Sequence, residues 1–163
     1  MKFIADAMLG RLAKWLRLMG FDVLYYPDIQ DGELIRIARE RERTLLTRDT
    51  RLVKSRGIKE PIFIESDGIF DQLLQIRGRL NFRDASPLGR CEICNGSLSG
   101  VADKEEIRDL VPDFVYHNFG DFVRCEECGK VYWKGSHYRR IREKIGAIMH
   151  PADMQGMKEE IED

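Results

Sequence analysis

The chain has 163 residues, with 27 Lys and Arg against 28 Asp and Glu and a formal net charge of −1. This balance excludes a chain that binds nucleic acid through its overall charge, so any such partner must contact a local basic patch. The hydrophobic fraction of 43% is ordinary for a globular protein, and no apolar run is long enough for a secretory signal or a membrane span, so we expect a cytoplasmic protein without membrane contact.

Strand and helix patterns alternate through the first half of the chain. Short apolar runs predict four buried strands, at residues 3–5, 21–26, 44–47 and 61–64. Helical patterns follow each of them, at residues 8–19, 32–42, 50–54 and 68–79. Gly20 is placed to end the first helix as a C′ glycine, and Asp31 is a candidate N-cap for the second. This order predicts an α/β fold with a mostly parallel sheet, right-handed crossovers and helices on both faces.

The second half of the chain contains all the cysteines and shows little helical periodicity before residue 137. Residues 81–89, with Pro87 and Gly89, form the predicted boundary between the halves. A basic helix is predicted from His137 to Met149, and the residues after it are acidic. We therefore predict an α/β domain over residues 1–84, a cysteine-containing module with a basic helix over 88–149, and an acidic tail over 150–163.

Two C-x₂-C pairs, Cys91 with Cys94 and Cys125 with Cys128, are the strongest local signal in the sequence. In a reducing compartment such pairs favour metal binding over disulfides. Four thiolates fill the tetrahedral shell of one Zn²⁺ ion, so we expect a structural zinc site in a small module that depends on the metal to fold. Residues 95–124 exceed the usual spacing of about 15–20 residues, which predicts an inserted β-hairpin extension.

Acidic residues follow three of the predicted strands. Asp6 comes directly after the first strand, Asp49 follows the third strand after one intervening residue, and Asp31 follows the loop after the second. Because the carboxyl ends of parallel strands meet at one sheet edge, we expect these carboxylates to cluster there. Mg²⁺ or Mn²⁺ would neutralise them and activate water for phosphodiester hydrolysis. Asp31 has a competing role as a helix cap, and Glu33 or Asp28 could join or replace it.

Several motifs resemble the Mut-seven C-terminal RNase domain family, in the order found there. They cover residues 3–13, 15–17, 46–49, 90–96, 125–129 and 131–137. The resemblance extends from about Lys2 to Arg142 and implies a PIN-like nuclease fold with an added zinc ribbon. It also implies metal-dependent cleavage of RNA by acidic residues. Asp6 and Asp49 match the first and third acidic positions of the family, and Asp31 or Glu33 matches the middle one, with Asp31 preferred.

Basic residues from two parts of the chain are candidates to bind the RNA. They are Arg11, Lys14, Arg17, Arg48, Lys134, His137, Arg139 and Arg140. Basic side chains contact phosphates and exposed aromatic rings stack on unpaired bases, although such residues also occur on solvated faces. The sequence therefore predicts a ribonuclease with a structural Zn²⁺ and a catalytic Mg²⁺ or Mn²⁺. The alternative is a non-catalytic RNA-binding module of an RNA-processing complex with the same fold.

Overall fold

The computed structural model describes residues 1–82 and 86–149. The predicted acidic tail, residues 150–163, and residues 83–85 of the predicted boundary lie outside the described residues. The first half of the chain forms β1 (Lys2–Ala5), α1 (Gly10–Leu18), β2 (Asp22–Tyr25), α2 (Asp31–Glu40), β3 (Thr44–Thr47), α3 (Thr50–Val53), β4 (Ile62–Phe63) and α4 (Ile69–Arg77). The second half forms β5 (Leu98–Gly100), α5 (Asp113–Asn118), β6 (Phe122–Cys125), β7 (Val131–Trp133) and α6 (Ser136–Met149).

Strands β1 to β4 form one parallel sheet with the order β2-β1-β3-β4. The central strand β1 pairs on both sides, so that Phe3 lies between Val23 and Thr44. Successive side chains of a strand point to opposite faces, and β1 is buried on both. Phe3 packs in one core and Ile4 in the other. The predicted α/β fold with a parallel sheet is confirmed.

Helices cover both faces of this sheet. One core lies between the sheet and apolar residues of α1, α4 and α6, and the other lies between the sheet and apolar residues of α2 and α3. Helix α6 follows the second sheet in the sequence, yet Ile145 and Ile148 are buried in the core of the first sheet. Arg77 of α4 also donates a hydrogen bond to the carbonyl of Met149 at 2.9 Å. The domain boundaries stay a prediction.

The helix boundaries differ from the predicted ones, most clearly at the start of α1 and at the N-terminus of α2. A 3₁₀ turn over Ala7–Leu9 precedes α1, so the α-helix begins only at Gly10. A Cβ atom at Gly10 would lie 2.7 Å from the hydroxyl oxygen of Tyr25. Gly20 ends the helix region with a φ of 96°, and this confirms its role as a C′ glycine. Asp31 is the first residue of α2 and Gln30 is its N-cap, so the prediction that Asp31 caps the helix is wrong.

The second sheet is antiparallel, with the order β5-β6-β7. Its core contains Ile107, Val115 and Val131. The predicted hairpin extension corresponds to the antiparallel pair β5–β6, but a 3₁₀ segment (Lys104–Leu110) and α5 fill the connection. These segments are too short to produce the helical periodicity that a sequence pattern needs. Within the described residues, no helix combines the length and the apolar character needed to cross a membrane.

Candidate functional site

Asp6 lies at the carboxyl end of β1 and is only 5% exposed. Its carboxylate accepts hydrogen bonds from the backbone N–H of Met8 at 2.8 Å and from the backbone N–H of Arg48 at 2.8 Å. A third hydrogen bond comes from the hydroxyl of Thr47. Two of these three donors belong to the end of β3 and the residue after it, so the pairing of β1 with β3 orients the carboxylate. One of the roughly four lone-pair sites of a carboxylate is left over.

Thr47 connects Asp6 to Asp49. Its hydroxyl oxygen accepts the backbone N–H of Asp49 at 2.9 Å, while the hydroxyl proton is donated to Asp6. The Asp49 carboxylate caps α3 by accepting the backbone N–H of Arg51 at 2.7 Å, and the Arg51 guanidinium lies 2.8 Å from it. Hydrogen bonds from Arg51 hold the pKa of Asp49 below its usual value. The structure therefore brings Asp6 and Asp49 to one edge of the sheet.

Asp31 and Glu33 both lie in the first turn of α2 but face different partners. Hydrogen bonds to Asp49 and the nearby charge of Asp31 together raise the pKa of Arg51. Glu33 instead binds Arg36, with its carboxylate 3.0 Å from the guanidinium Nε, and this bond lowers the pKa of Glu33. The charge of Asp31 thus acts on Arg51, the arginine that binds Asp49. Within residues 1–82 and 86–149, no three carboxylates come within 4.8 Å of one another.

Asp67 is a further acidic residue at this edge that sequence reasoning missed. It follows β4, which pairs with β3, and it forms an ion pair with the guanidinium of Arg48. The signal that could have found it is the one used for Asp6 and Asp49, an acid shortly after a buried strand. Arg48 therefore contributes its backbone N–H to Asp6 and its side chain to Asp67.

The four cysteines form a compact group at one end of the second sheet. The sulfur of Cys91 is 3.6 Å from that of Cys128, and the sulfur of Cys94 is 3.4 Å from that of Cys125. All four sulfur atoms lie within 4.8 Å of one another. Sulfurs bound tetrahedrally to one Zn²⁺ at about 2.3 Å are separated by about 3.8 Å, so the quartet fits a zinc ion.

The two cysteine turns have nearly the same backbone geometry. The residues after the second cysteines, Asn95 and Gly129, have φ values of 73° and 76°. Their N–H groups each donate to the carbonyl of the first cysteine of the pair at 3.0 Å. Because left-handed φ values favour Gly and are tolerated by Asn, both residue types suit this position. Each turn is therefore determined by the residues of its own C-x₂-C segment and the residue that follows it.

Hydrogen bonding distinguishes the thiols of the quartet. Burial raises the pKa of Cys91, but hydrogen bonds from the Tyr132 hydroxyl at 3.1 Å and from backbone N–H groups outweigh this and lower it to about 7. Burial and the neighbouring thiols raise the pKa of Cys94 to about 12. A bound cation favours the thiolate form of all its ligands.

Arg17, one of the predicted RNA-binding residues, is buried. The residue is 5% exposed, and its guanidinium donates to the carbonyls of Val23, Glu92 and Ile93 at 2.9, 3.1 and 2.8 Å. The first cysteine turn covers this part of α1. Arg17 therefore joins α1 and β2 to the cysteine module. Because its guanidinium is buried, it is not available for the predicted contact with RNA.

Asn95 forms a second link between the two sheets. Its side-chain oxygen accepts the N–H of Val23 at 2.9 Å, and its side-chain nitrogen donates to the Asp22 carboxylate at 2.8 Å. Asp22 also binds Arg43 at 2.6 Å. Burial alone would raise the pKa of Asp22, but the hydrogen bonds from Arg43 and Asn95 outweigh it and lower the pKa. Since β2 is an edge strand with unpaired backbone groups, Asn95 closes part of that edge.

Apart from Arg48, which lies at the acidic edge, the remaining basic candidates either line one groove or lie outside it. A groove between α1 and α6, called the α1–α6 groove below, is lined by Arg11, Lys14, Trp15, Leu18, His137, Arg140, Ile141 and Lys144. It therefore brings together four of the predicted nucleic-acid residues from two distant segments. Lys134 lies elsewhere, 3.1 Å from Asp121, and Arg139 is exposed on α6 but does not line the groove.

Comparison with known protein families gives a match over most of the chain. The model of the Mut7-C RNAse domain family matches residues 1–145. No curated protein and no solved structure matches the chain. The matched span contains both sheets, the acidic edge and all four cysteines, and it ends within α6.

Proposed function

Because the chain belongs to the Mut7-C RNAse domain family, we propose that it is a ribonuclease that hydrolyses RNA phosphodiester bonds at the edge formed by Asp6 and Asp49. The observation that carries this proposal is the hydrogen-bond chain from Asp49 through the Thr47 hydroxyl to Asp6. It holds two acids at the carboxyl ends of neighbouring parallel strands, the edge of an α/β sheet at which ligands bind.

Asp6 and Asp49 are the residues that would hold Mg²⁺ or Mn²⁺, with Asp31 as the third acid. Such a metal supplies an activated water and neutralises charge on the phosphate. Asp6 retains one lone-pair site after its three hydrogen bonds, and Asp49 can release Arg51, whose side chain is 86% exposed. Asp31 is preferred to Glu33 because Glu33 is engaged by Arg36, whereas the charge of Asp31 acts on Arg51.

The cysteine quartet is proposed to hold a structural zinc ion with no role in the chemistry. Four thiolates complete the coordination shell and leave no position for water or substrate. Arg17 and Asn95 join this module to β2, so the zinc ribbon and the acidic edge keep a defined arrangement. The proposal includes the reducing cytoplasm as the compartment, since thiolates stay available for zinc there.

The test is cleavage of labelled RNA with Mn²⁺ by the wild type and the Asp49→Asn variant. Cleavage by the variant should fall by at least about 100-fold, since loss of a group that only supports a metal ligand already costs about 10- to 100-fold. Glu33→Gln is the matched control, because it removes one carboxylate charge from the adjacent α2 and should cleave as the wild type does. Wild-type cleavage by a folded Asp49→Asn protein would overturn the proposal.

A second candidate is a non-catalytic RNA-binding module, favoured by the contact between Arg51 and Asp49, which neutralises the acid without a metal. Thermal unfolding with and without Mn²⁺ separates the two. A ribonuclease should be stabilised by the ion, by about 2.7 kcal/mol at 100 times its dissociation constant, and Asp49→Asn should lose this effect. RNA binding with neither cleavage nor a response to Mn²⁺ would favour the module.

A further inference from the structure

The α1–α6 groove has a strongly basic lining in a chain whose net charge is −1. Its volume is about 430 Å³. Four of its lining residues are Lys or Arg, namely Arg11, Lys14, Arg140 and Lys144, and His137 is a fifth residue that can carry charge. None of the described residues that line it is acidic. This is the local concentration of positive charge that a near-neutral protein needs to bind a polyanion.

The groove follows from the way in which the two helices pack. Helices α1 and α6 both bury apolar residues in the same core, for example Leu16 and Ile148. Their basic residues are then left on two facing rims. On α6, His137, Arg140 and Lys144 are spaced three and four residues apart and so share one side of the helix.

The floor of the groove is apolar and partly aromatic. Trp15 and Ile141 are half-buried and pack against the core of the first sheet, while part of each remains at the groove. A tryptophan beneath a row of cations is the arrangement by which proteins bind single-stranded nucleic acid, with bases on the ring and phosphates on the cations. Duplex RNA is recognised across its wide minor groove over a broad surface, which a recess of this size does not offer.

The ion pair of Lys14 leaves its ammonium group able to bind a new anion. Lys14 lies 3.1 Å from Glu92, but its side chain is 54% exposed. Glu92 is 12% exposed, but it also binds Lys130 at 2.9 Å and so keeps a partner when Lys14 binds another anion. A phosphate can therefore share or replace this contact.

We propose that the α1–α6 groove binds an unpaired RNA strand, with phosphates on Arg140, Lys144 and Lys14 and a base against Trp15. The identity of the strand as RNA rests on the proposed function. Arg11 is five residues beyond Asp6, a chain length of at most about 18 Å, so a strand that leaves the groove past Arg11 reaches the acidic edge. The groove thereby guides single-stranded substrate to Asp6.

Two neighbouring arginines of α6 provide a matched test. Arg140 lines the groove, whereas Arg139 is exposed but does not line it. Binding of a labelled, unstructured RNA is measured against salt concentration without added Mg²⁺ or Mn²⁺, for Arg140→Gln and Arg139→Gln. Arg140→Gln should weaken binding several-fold and reduce the slope of log K against log salt by about 0.7, the value for one phosphate contact on a single strand. Arg139→Gln should leave the slope unchanged. Equal slopes for the two variants overturn the proposal.

Trp15 is tested by fluorescence in the same RNA titration. The chain has two tryptophans, Trp15 and Trp133, so Trp133→Phe leaves Trp15 as the single reporter. Quenching by single-stranded RNA should persist in Trp133→Phe and disappear in Trp15→Phe, and thermal unfolding checks that both variants are folded. Quenching that survives in Trp15→Phe overturns the stacking contact. Annealing the strand to its complement should weaken binding, and equally tight binding of the duplex overturns the single-strand assignment.

These results are independent of cleavage. Slope and quenching changes in a protein that never cuts RNA would support the groove and reject the ribonuclease. Cleavage that depends on Asp49, with normal binding by Arg140→Gln, would support the ribonuclease and reject the groove.

Discussion

The cysteine quartet and the acidic edge are two candidate metal sites assembled in opposite ways. In the quartet, all four sulfur atoms lie within 4.8 Å of one another. At the acidic edge, Asp6 is bound by Met8, Thr47 and Arg48, and Asp49 is bound by Arg51. The first site has its ligands gathered toward one point, whereas the carboxylates of the second are satisfied by protein groups.

The difference arises because local turns position the cysteines, whereas pairing between distant strands positions the carboxylates. The cysteine turns repeat one local geometry, with Asn95 and Gly129 in the same left-handed conformation. The acidic edge depends on the register between β1 and β3, and its negative charges repel one another unless a cation or an arginine lies between them. A structural metal site is closed before any substrate arrives, while a catalytic one must keep exchangeable positions. Three predictions test this contrast.

The largest effect is expected from Cys125→Ser. Loss of one thiolate should remove zinc and unfold the second sheet, because structural zinc contributes about 10–16 kcal/mol in small zinc-dependent folds. Metal analysis and circular dichroism of freshly purified protein provide the measurement. Asp49→Asn is the control and should keep its full zinc content, since the two sites are separate. A wild-type protein purified without zinc, or a folded Cys125→Ser variant, would contradict the structural role.

Arg17→Met tests whether the cysteine module and the first sheet are coupled. The variant keeps the aliphatic stem and leaves the carbonyls of Val23, Glu92 and Ile93 without their donor. The free energy of unfolding should fall by about 3 kcal/mol, since a charged, buried donor is lost. Urea denaturation provides the measurement.

Lys14→Met is the matched control for stability, because the Lys14 side chain is 54% exposed and Glu92 keeps Lys130 at 2.9 Å as a second partner. The ion pair of Lys14 should contribute about 0–1 kcal/mol. A stable Arg17→Met protein with a reduced salt dependence of RNA binding would instead assign Arg17 to the phosphate backbone.

The smallest effect is expected from Thr47→Val, which removes the hydroxyl shared by Asp6 and Asp49. Cleavage should fall by about 10-fold and the Mn²⁺ concentration for half-maximal activity should rise, because groups that orient metal ligands contribute about 10- to 100-fold. Thr47→Ser keeps the hydroxyl and should restore both values. If Thr47→Val changes stability alone and leaves the Mn²⁺ dependence unaltered, Thr47 does not position the acids.

The sequence by itself determined the features that depend on local order. The alternation of apolar runs and helical patterns predicts the parallel sheet, and β3 has the predicted bounds. Gly20 ends the first helix because its φ of 96° suits glycine. The C-x₂-C spacing predicts the cysteine group because each turn closes on itself.

Only the tertiary structure decided which polar residues are covered. Arg17 has the helical position of a solvated residue, yet it binds carbonyls 75 and 76 residues later in the chain. Asn95 satisfies an edge strand 72 residues earlier, and α6 packs on the first sheet to form the α1–α6 groove. Periodicity tells which side of a helix is apolar, but a distant segment can dock on the polar side. The free energy of such docking is a sum over non-local contacts, and no local pattern contains it.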